Sequence, residues 1–302
     1  MTSLMDRLPH CERSVDCSDD HEVPSHEVSC CRACRAYYET RVASRLGGRY
    51  PLLEERVLSA LCALTCAVRS YGIEHLAFSF NGGKDCTVIL YLLHFMDPTL
   101  IQQLAAVVHF RPRDMFSELE DFLRACQKRH GFTLWECACR ENSGDGRCKP
   151  IAVCLSKTLR AFPKVRAVIL GTRNSDFTDA RLRHSSCFAL TDVERGWPRV
   201  MRVSPIIDWG YNDIWQFLRG FCTKDDAAEE ERWCCLYNSG YTSLGSASDS
   251  RPNPALLDEK TLQYQPAWML SDPELERESR TPKYIMTPSV SPAPTSPPPA
   301  SQ

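Results

Sequence analysis

Residues 76–95 constrain the fold more than any other part of the chain. Residues 76–80 form a short apolar run, which is typical of a buried strand, and residues 86–95 are apolar enough for the buried helix that follows. Between these two runs, Asn81-Gly82-Gly83 predicts a sharp turn. A strand, a glycine turn and a helix in this order direct backbone N–H groups and the positive end of the helix to one place. That geometry favours a bound phosphate.

The side chains around this turn also suit a nucleotide. Two glycines let the backbone approach an anion with no Cβ in the way. Lys84 adds a mobile positive charge, and Asp85 could hold Mg²⁺, which prefers carboxylate and phosphate oxygens. Asn-Gly-Gly alone could be a simple tight turn, but Ser-x-Asn-Gly-Gly-Lys-Asp between a strand and a helix is far more specific. The Gly-x-x-x-x-Gly-Lys spacing of a Walker P-loop is absent.

Further strands and helices are predicted to alternate along the chain. Strands are predicted at residues 104–110, 132–136 and 165–170, and helices at residues 52–71, 115–130 and 151–162. This alternation predicts an α/β fold with a mostly parallel twisted sheet and helices on both faces. Because ligands of such sheets bind at the carboxyl ends of the strands, Asn81, Arg111 and Gly171 should gather at one site.

Composition excludes several classes of protein. The 302 residues carry 36 basic and 38 acidic side chains, so the net charge of −2 gives no general attraction to nucleic acid or an anionic membrane. The longest apolar run, residues 57–68, is too short to span a bilayer. The N-terminal segment is acidic, unlike a transit peptide. We expect a cytoplasmic protein, with a mitochondrial location less favoured, and no obligate protein partner.

The two ends of the chain differ from the middle. Residues 1–48 are predicted to be a largely disordered, Cys-rich extension, and the Pro- and Ser-rich residues 282–302 a disordered tail, which leaves residues 49–281 as the folded domain. A polar surface insertion is predicted at residues 138–149. The 17 cysteines are scattered, which indicates mostly reduced thiols. Cys30, Cys31 and Cys34 leave zinc binding open as an alternative, although the second tight pair of a structural zinc site is missing.

A second polar cluster follows the strand predicted at residues 165–170. The segment Gly171-Thr172-Arg173-Asn174-Ser175-Asp176 could be a plain polar loop with a surface ion pair, or a second substrate loop. In the second case, Arg173 can grip a phosphate through two parallel hydrogen bonds. Further on, Asp208 and Trp209 end an apolar run, and packing alone does not explain a carboxylate at that position.

These motifs resemble those of known families. The turn is similar to the Ser-Gly-Gly-x-Asp-Ser loop of PP-loop ATP pyrophosphatases and phosphoadenylyl-sulfate (PAPS) reductases, with Asn81 and Cys86 as departures. Further segments resemble eukaryotic FAD synthases in the family's order: residues 171–176, 197–198, 201–209, 237–246, 253–256, 264–270 and 274–280. The resemblance covers about residues 50–281. It implies a PAPS reductase-like (adenine nucleotide alpha hydrolase-like) fold whose C-terminal segment folds back over the site.

The resemblance implies an FMN adenylyltransferase that makes FAD and pyrophosphate from FMN and Mg-ATP. The implied catalytic residues are Asn81, Asp85, Asp176, Arg277 and Arg280. The implied ATP-binding residues are Ser79, Phe80, Asn81, Gly82, Gly83, Lys84, Asp85, Gly171 and Arg173. The implied FMN-binding residues are Arg173, Asp176, Asp208 and Trp209. Asp85 is the expected Mg²⁺ ligand, with Asp176 as a further candidate. Trp209 could stack on the flavin or pack in the core.

The arginine spacing and the rival functions complete the sequence-based predictions. Arg277 and Arg280 are three residues apart, so both should lie on one face of a helix. A reductase of activated sulfate would need a nucleophilic cysteine in a Glu-Cys-Gly-Leu-His type segment near the C-terminus, which this sequence lacks. A nucleotide- or flavin-binding module without catalysis is the other alternative, and the complete catalytic set argues against it. Residues 177–181 lack a proline that the family often has, so the flavin contacts there stay open.

Overall fold

The computed structural model describes residues 4–9, 32–138, 150–177, 186–222 and 226–280. The predicted tail at residues 282–302, nearly all of the predicted insertion, and most of the Cys-rich N-terminal segment lie outside these residues. The prediction of disorder for these residues and the zinc alternative therefore stay predictions.

The described residues form eight α-helices and eight short strands. The helices are α1 (Leu4–Arg7), α2 (Arg32–Leu46), α3 (Pro51–Tyr71), α4 (Lys84–Met96), α5 (Leu100–Gln103), α6 (Ser117–His130), α7 (Pro150–Ala161) and α8 (Tyr211–Gln216). The strands are β1 (Leu76–Ser79), β2 (Ala106–Arg111), β3 (Leu134–Ala138), β4 (Ala167–Ile169), β5 (Phe188–Leu190), β6 (Met201–Val203), β7 (Leu257–Asp258) and β8 (Gln263–Tyr264).

Six of the strands form one sheet in the order β3-β2-β1-β4-β6-β5. All neighbours are parallel except β5, which runs antiparallel to β6. In the centre, Phe78 of β1 lies opposite Val107 of β2 on one side and Ile169 of β4 on the other. The predicted α/β fold with a mostly parallel sheet is confirmed. The strand order reverses at β1, between β2 and β4, which is where open α/β sheets bind their ligands.

The alternation of side chains along β1 explains why both faces of the sheet are covered. Phe78 belongs to the larger core, which α3 and α4 share, whereas Ala77 belongs to a second core with Leu155 of α7. Helix α4 buries eleven of its thirteen residues, because it packs against the sheet on one side and against other helices around it. This burial rigidly positions the first turn of α4 beside the end of β1.

The folded part of the chain begins at an earlier residue than the sequence predicts. Tyr38, Val42 and Leu46 of α2 are buried in the larger core, and the Tyr38 hydroxyl lies 3.1 Å from Thr65 Oγ1 of α3. The predicted start near residue 49 is therefore wrong. Apolar residues spaced by four form the buried stripe of α2, but the many charged residues between them obscured it.

Several cysteines pack as small apolar side chains. Cys86 and Cys126 are buried free thiols, and burial raises the pKa of each to about 12. Cys62, in contrast, is disulfide-bonded. Within the part of the chain that the structure describes, no helix is long and apolar enough to cross a membrane.

Candidate active site

A cavity of about 340 Å³ opens at the carboxyl ends of β1 and β4. Four segments form its walls: the turn after β1, the loop after β4, the region around Tyr237 and Ser243, and the C-terminal residues 276–280. The cavity therefore lies at the reversal of strand order, as the sequence predicts for a ligand site.

Two glycines beside the cavity are needed for different reasons. One is in the turn after β1, residues 81–83, which we call the phosphate turn, and the other follows β4. Gly82 has φ +73°, and a Cβ there would lie 2.8 Å from Leu119 Cδ1 of α6. Gly82 therefore serves the turn conformation and the packing against α6. Gly171, after β4, is close to the backbone of α4, because a Cβ there would lie 2.8 Å from the Cys86 amide nitrogen. The absence of a side chain at Gly171 therefore allows the end of β4 and the first turn of α4 to lie close together beside the cavity.

The polar groups of the turn bind one another and Tyr237. The Gly83 amide donates to Asn81 Oδ1 at 2.9 Å, and the Cys86 thiol donates to the same oxygen at 2.9 Å. The Lys84 amide donates to the Tyr237 hydroxyl at 2.9 Å. Burial raises the pKa of Tyr237 well above its ordinary value, so the hydroxyl stays neutral. Tyr237 thus holds the first turn of α4 from the opposite wall.

Three carboxylates and three cations alternate around the cavity. The Lys84 ammonium, only 2% exposed, donates to Glu276 Oε1 at 2.6 Å and to Asp85 Oδ2 at 3.2 Å. Lys84 is therefore a buried, paired cation, and the prediction of a mobile charge is wrong. Arg173 is buried as well: its Nε forms an ion pair with Asp85 Oδ1 at 2.9 Å, and its Nη2 donates to Glu276 at 2.7 and 2.9 Å.

Asp176 links the loop after β4 to the C-terminal segment. Its Oδ2 accepts a hydrogen bond from the Arg173 amide at 2.9 Å, and its Oδ1 accepts one from Arg277 Nη2 at 2.6 Å. Arg277 is half-exposed, with 54% of its side chain accessible, so its guanidinium is open to the cavity. Asp176 is therefore held by its own loop and in turn holds Arg277.

The charges of this network stabilise one another. Burial alone would raise the pKa of Glu276, but Lys84 and Arg173 more than offset it and lower the pKa to about 2. Burial would likewise lower the pKa of Arg173, but Asp85, Glu276 and Asp176 raise it above its ordinary value. Both groups stay ionised around neutral pH.

The C-terminal arginines reach the cavity from a short 3-10 helix, Pro273–Ser279. Arg277 lies within this helix, whereas Arg280 follows its end, so the prediction that both lie on one helix face is wrong. Arg280 Nε donates to Ser243 Oγ at 3.0 Å, and its Nη1 donates to Asp249 Oδ1 at 3.0 Å. Both arginines nevertheless line the same cavity.

The structure brings most of the predicted site residues to the cavity. Those that line it are Ser79, Asn81, Gly83, Lys84, Asp85, Gly171, Asp176, Arg277 and Arg280. Arg173 lies beneath them, with its guanidinium directed at carboxylates. Phe80 is fully buried and packs edge-on to Phe132 at 5.9 Å between ring centroids, so its side chain belongs to the core.

Two predicted flavin residues lie apart from this cavity. Trp209 is 4% exposed and packs on Phe217 with ring centroids 5.5 Å apart, which favours the core alternative over stacking on a flavin. Asp208 is exposed and accepts a hydrogen bond from Asn174 Nδ2 at 2.7 Å. Asp208 therefore lies beside the loop that carries Asp176.

Sequence reasoning missed Glu276 and Tyr237 as parts of the site. Glu276 has acidic neighbours at positions 274 and 278, and no local feature of the sequence distinguishes the three. Tyr237 entered only as part of a resembling block. Only the fold brings these residues to Lys84, which is 192 residues from Glu276 in the chain.

The donor set at the cavity fits a magnesium ion that is shared with phosphate. In the described ranges, no group of three or more His, Cys, Asp and Glu side chains could hold a metal by itself. Mg²⁺ usually takes only one or two protein carboxylates when substrate phosphates complete its shell. Asp85 and Asp176 both face the cavity and supply that number.

The model of one protein family matches the chain. It is the phosphoadenosine phosphosulfate reductase domain, matched over residues 75–252. With this match, the parallel sheet and the glycine turn place the chain in the phosphoadenosine phosphosulfate reductase domain family. Within that family, the chain belongs to the FAD synthases. It is 35% identical over 235 residues to the probable FAD synthase of Schizosaccharomyces pombe, covering 76% of this chain and 80% of that protein.

Other relatives agree with this assignment. The probable FAD synthase of Caenorhabditis elegans is 32% identical over 223 residues, but the match spans only 38% of that protein. Among solved structures, FMN adenylyltransferase from Candida glabrata, in complex with FAD and inorganic pyrophosphate, has a TM-score of 0.66. It is 22% identical, and the match covers 83% of this chain and 97% of that one. This likeness concerns the fold.

Proposed function

We propose that the protein is an FMN adenylyltransferase that makes FAD and pyrophosphate from FMN and Mg-ATP. One observation carries the proposal: a single cavity brings the phosphate turn, the carboxylate of Asp176 and the arginines of the C-terminal segment together. The similar proteins are named FAD synthases, and the similar solved structures include one with FMN and an ATP analogue.

The reaction joins two polyanions. An oxygen of the FMN phosphate attacks the α-phosphorus of ATP in line, the new oxygen–phosphorus bond forms, and the bond to the β-phosphate breaks to release pyrophosphate. The FMN phosphate is already ionised near neutral pH, so the attack needs no general base. The enzyme must instead position the two substrates and stabilise the charge on the phosphoryl oxygens.

The cations of the cavity suit this task. Lys84, Arg277 and Arg280 lie around one space, each held by a protein carboxylate or hydroxyl. Substrate phosphates compete with these partners for the same donors, and charge-assisted hydrogen bonds to phosphate are strong. The half-exposed Arg277 is the most open of the three, so it meets the reacting phosphate with the least rearrangement. Asn81 can donate its side-chain amide to an oxygen of the α-phosphate.

Asp85 and Asp176, which both line the cavity, would hold Mg²⁺. When bound, the ion neutralises charge on the phosphates and orients the leaving pyrophosphate. Asp85 comes from the phosphate turn and Asp176 from the loop after β4, so the pair spans both substrates' sides of the cavity. For FMN, we assign Asp176 and the neighbouring Asp208 to the flavin side. Arg173 supports the two loops from beneath, and Trp209 belongs to the core.

The folded unit that performs this reaction includes α2 and ends with the C-terminal arginines. This proposal extends the domain predicted at residues 49–281 toward the N-terminus, because Leu8 and the buried residues of α2 share its core. The cytoplasmic location stays a prediction from the acidic N-terminal segment.

Turnover of the purified full chain tests the proposed function. Incubation with ATP, Mg²⁺ and FMN should yield FAD, detected by chromatography, and pyrophosphate in equal amounts. The Asp85→Asn variant should fold normally and lose at least about 10²-fold in kcat, because an amide is a poor ligand for Mg²⁺.

Two other outcomes would replace the proposal. Sulfite release from PAPS with a thiol reductant would make the protein a sulfonucleotide reductase. Tight binding of FMN or ATP with no FAD formed at saturating Mg²⁺ would make it a binding module.

A further inference from the structure

Glu276 occupies an unusual position in the site. Its side chain is 8% exposed, and its two oxygens accept three hydrogen bonds. One comes from the Lys84 ammonium at 2.6 Å, and two come from Arg173 Nη2 at 2.7 and 2.9 Å. A buried carboxylate with this many charged donors is costly to desolvate and strongly held once paired.

The three groups belong to three separate parts of the chain. Lys84 starts α4 directly after the phosphate turn, Arg173 follows β4, and Glu276 lies in Pro273–Ser279. One carboxylate therefore joins the phosphate turn, the loop after β4 and the C-terminal segment. Glu274 and Glu278, on either side of Glu276 in the same segment, are exposed.

The backbone around Glu276 is anchored as well. The Thr242 hydroxyl donates to the Glu276 carbonyl oxygen at 2.7 Å, and the Ser279 hydroxyl donates to the Ser243 carbonyl oxygen at 3.0 Å. With residues 276 and 279 facing inward, Arg277 faces the cavity between them. The anchored residues 276 and 279 therefore position the Arg277 backbone, and Asp176 holds its guanidinium.

We infer that Glu276 is a positioning residue of this site. It holds Lys84 and Arg173 in place and locks the C-terminal segment so that Arg277 and Arg280 lie over the cavity. This inference rests on the proposed function, because the arginines it positions are those that meet the reacting phosphates. Glu276 acts through these neighbours, because both of its carboxylate oxygens already accept hydrogen bonds from Lys84 and Arg173.

The charge balance of the site predicts how replacing Glu276 should differ from a substitution that only destabilises the structure. Lys84, Arg173 and Arg277 are balanced by Asp85, Asp176 and Glu276, so replacing Glu276 with neutral glutamine leaves the cluster with an excess positive charge. A more positive cavity keeps or strengthens its attraction for a polyanion. The arginines, however, lose their fixed orientation, and stabilisation of the transition state falls. Binding of pyrophosphate and turnover should therefore change in different directions.

The test compares Glu276→Gln with the matched control Glu278→Gln in the full chain. Inorganic pyrophosphate with Mg²⁺ is titrated calorimetrically into each variant, and kcat for FAD formation is measured at saturating ATP and FMN. We expect Glu276→Gln to lower kcat at least about 10-fold and to bind pyrophosphate as tightly as wild type or up to about 10-fold tighter. Glu278→Gln should match wild type in both measurements.

A second variant covers the case in which Glu276→Gln does not fold. Thr242→Val keeps the shape of the side chain and removes the hydroxyl, which donates to the Glu276 carbonyl oxygen and accepts from Asn253 Nδ2. It should lower kcat about 3- to 10-fold with the affinity for pyrophosphate unchanged.

The outcomes separate this inference from the proposed function. Absence of FAD with the wild-type protein would refute the function. In an active protein, equal kcat for the two Glu→Gln variants would overturn the inference alone. Loss of pyrophosphate affinity in Glu276→Gln or Thr242→Val would overturn the inference with or without turnover, because it would show that Glu276 only supports the structure.

Discussion

The two walls of the cavity are built in opposite ways. The wall formed by β1, the phosphate turn and α4 consists of regular elements with apolar cores, and its shape depends on glycine backbones. The wall formed by residues 226–280 consists of 3-10 turns and the two-residue strands β7 and β8. It is held by buried polar side chains, such as Asn253, which is fully buried and donates to Thr242 Oγ1 and to the Leu275 carbonyl oxygen.

This difference shows which interactions fix the positions of the atoms in each wall. In the first wall, close packing against glycines restricts the backbone. A Cβ on Gly82 would displace Leu119, and a Cβ on Gly171, which follows β4, would meet the backbone of α4. In the second wall, some turns are specified by a hydrogen bond to a side chain, such as those that Asn253 and Asp272 accept from the Ala255 and Glu274 amides. The stability of the first wall should therefore be sensitive to added volume, and the stability of the second wall to the loss of single polar atoms.

The largest effect should come from removing part of the second wall. Deleting the chain from Asp272 onward removes Glu276 and both arginines, so FAD formation should fall at least about 10³-fold. Deleting only residues 282–302 should leave kcat and Tm nearly unchanged, because this Pro- and Ser-rich sequence has few apolar residues with which to form a core. Equal losses in the two truncations would contradict the proposed contribution of the segment.

Gly245, in the second wall, allows the effect of displacing Arg280 on kcat to be compared with its effect on stability. A Cβ on Gly245 would overlap the guanidinium of Arg280 and the carboxylate of Asp249. Both are ends of side chains that can move, so Gly245→Ala should lower kcat by about 10²-fold, the loss that we also expect for Arg280→Ala, with Tm lowered by only about 2 °C. The control is Gly210→Ala, where the nearest atom to a Cβ is Asp213 Oδ2 at 3.3 Å. Wild-type kcat in Gly245→Ala would show that Arg280 does not act on the reaction.

The two walls should also differ, by a smaller effect, in how much one substitution lowers the free energy of unfolding. Asn253→Ala removes two buried hydrogen-bond donors and leaves the Leu275 carbonyl oxygen unsatisfied, so the free energy of unfolding should fall by about 2–3 kcal/mol. Ile89→Val, in the fully buried core of α4, should cost only about 1 kcal/mol. Urea denaturation of both variants measures the difference. A larger loss in Ile89→Val would reverse the comparison.

The smallest effect concerns His130, the last residue of α6, which is buried against Tyr91 and His94 of the first wall. Burial, His94 and Arg129 lower the pKa of His130 to about 4, whereas an unfolded chain has a histidine pKa of about 6.5. Because the folded pKa is lowered, stability is fully present above pH 6.5 and is lost as the pH falls toward 4, by up to about 1.4 kcal/mol per unit.

His130→Phe should test this pH dependence. Phenylalanine keeps a ring beside Tyr91 and cannot take up a proton, so Tm should fall less between pH 7 and pH 5 in the variant than in wild type. An identical fall in both proteins would show that His130 does not contribute to acid sensitivity.

The sequence predicts the first wall well because its information is local. An apolar run, a glycine turn and a second apolar run are adjacent in the chain, so the strand, the turn and the helix follow from neighbouring residues. The same reasoning missed β5 and β6, which are three residues long and too short to show an alternation. It missed α2 because charged residues separate the apolar stripe.

The second wall could be predicted only through its resemblance to a family. Residues 226–280 show no period that a propensity argument could use. Glu276 becomes distinct from Glu274 and Glu278 only when the fold brings Lys84 and Arg173 to it. The same applies to Arg173: the sequence indicates a phosphate ligand, and only the fold shows its carboxylate partners.

The balanced charges of the cavity have a consequence for how quickly substrates arrive. Each cation that lines the cavity already has an anion beside it: Glu276 for Lys84, Asp176 for Arg277 and Asp249 for Arg280. A site that is neutral at rest projects little field beyond its mouth, so ATP is not steered to it from a distance. Added salt should therefore change the association rate of ATP only slightly, and selectivity for polyanions arises after entry, when phosphate oxygens replace carboxylates one contact at a time.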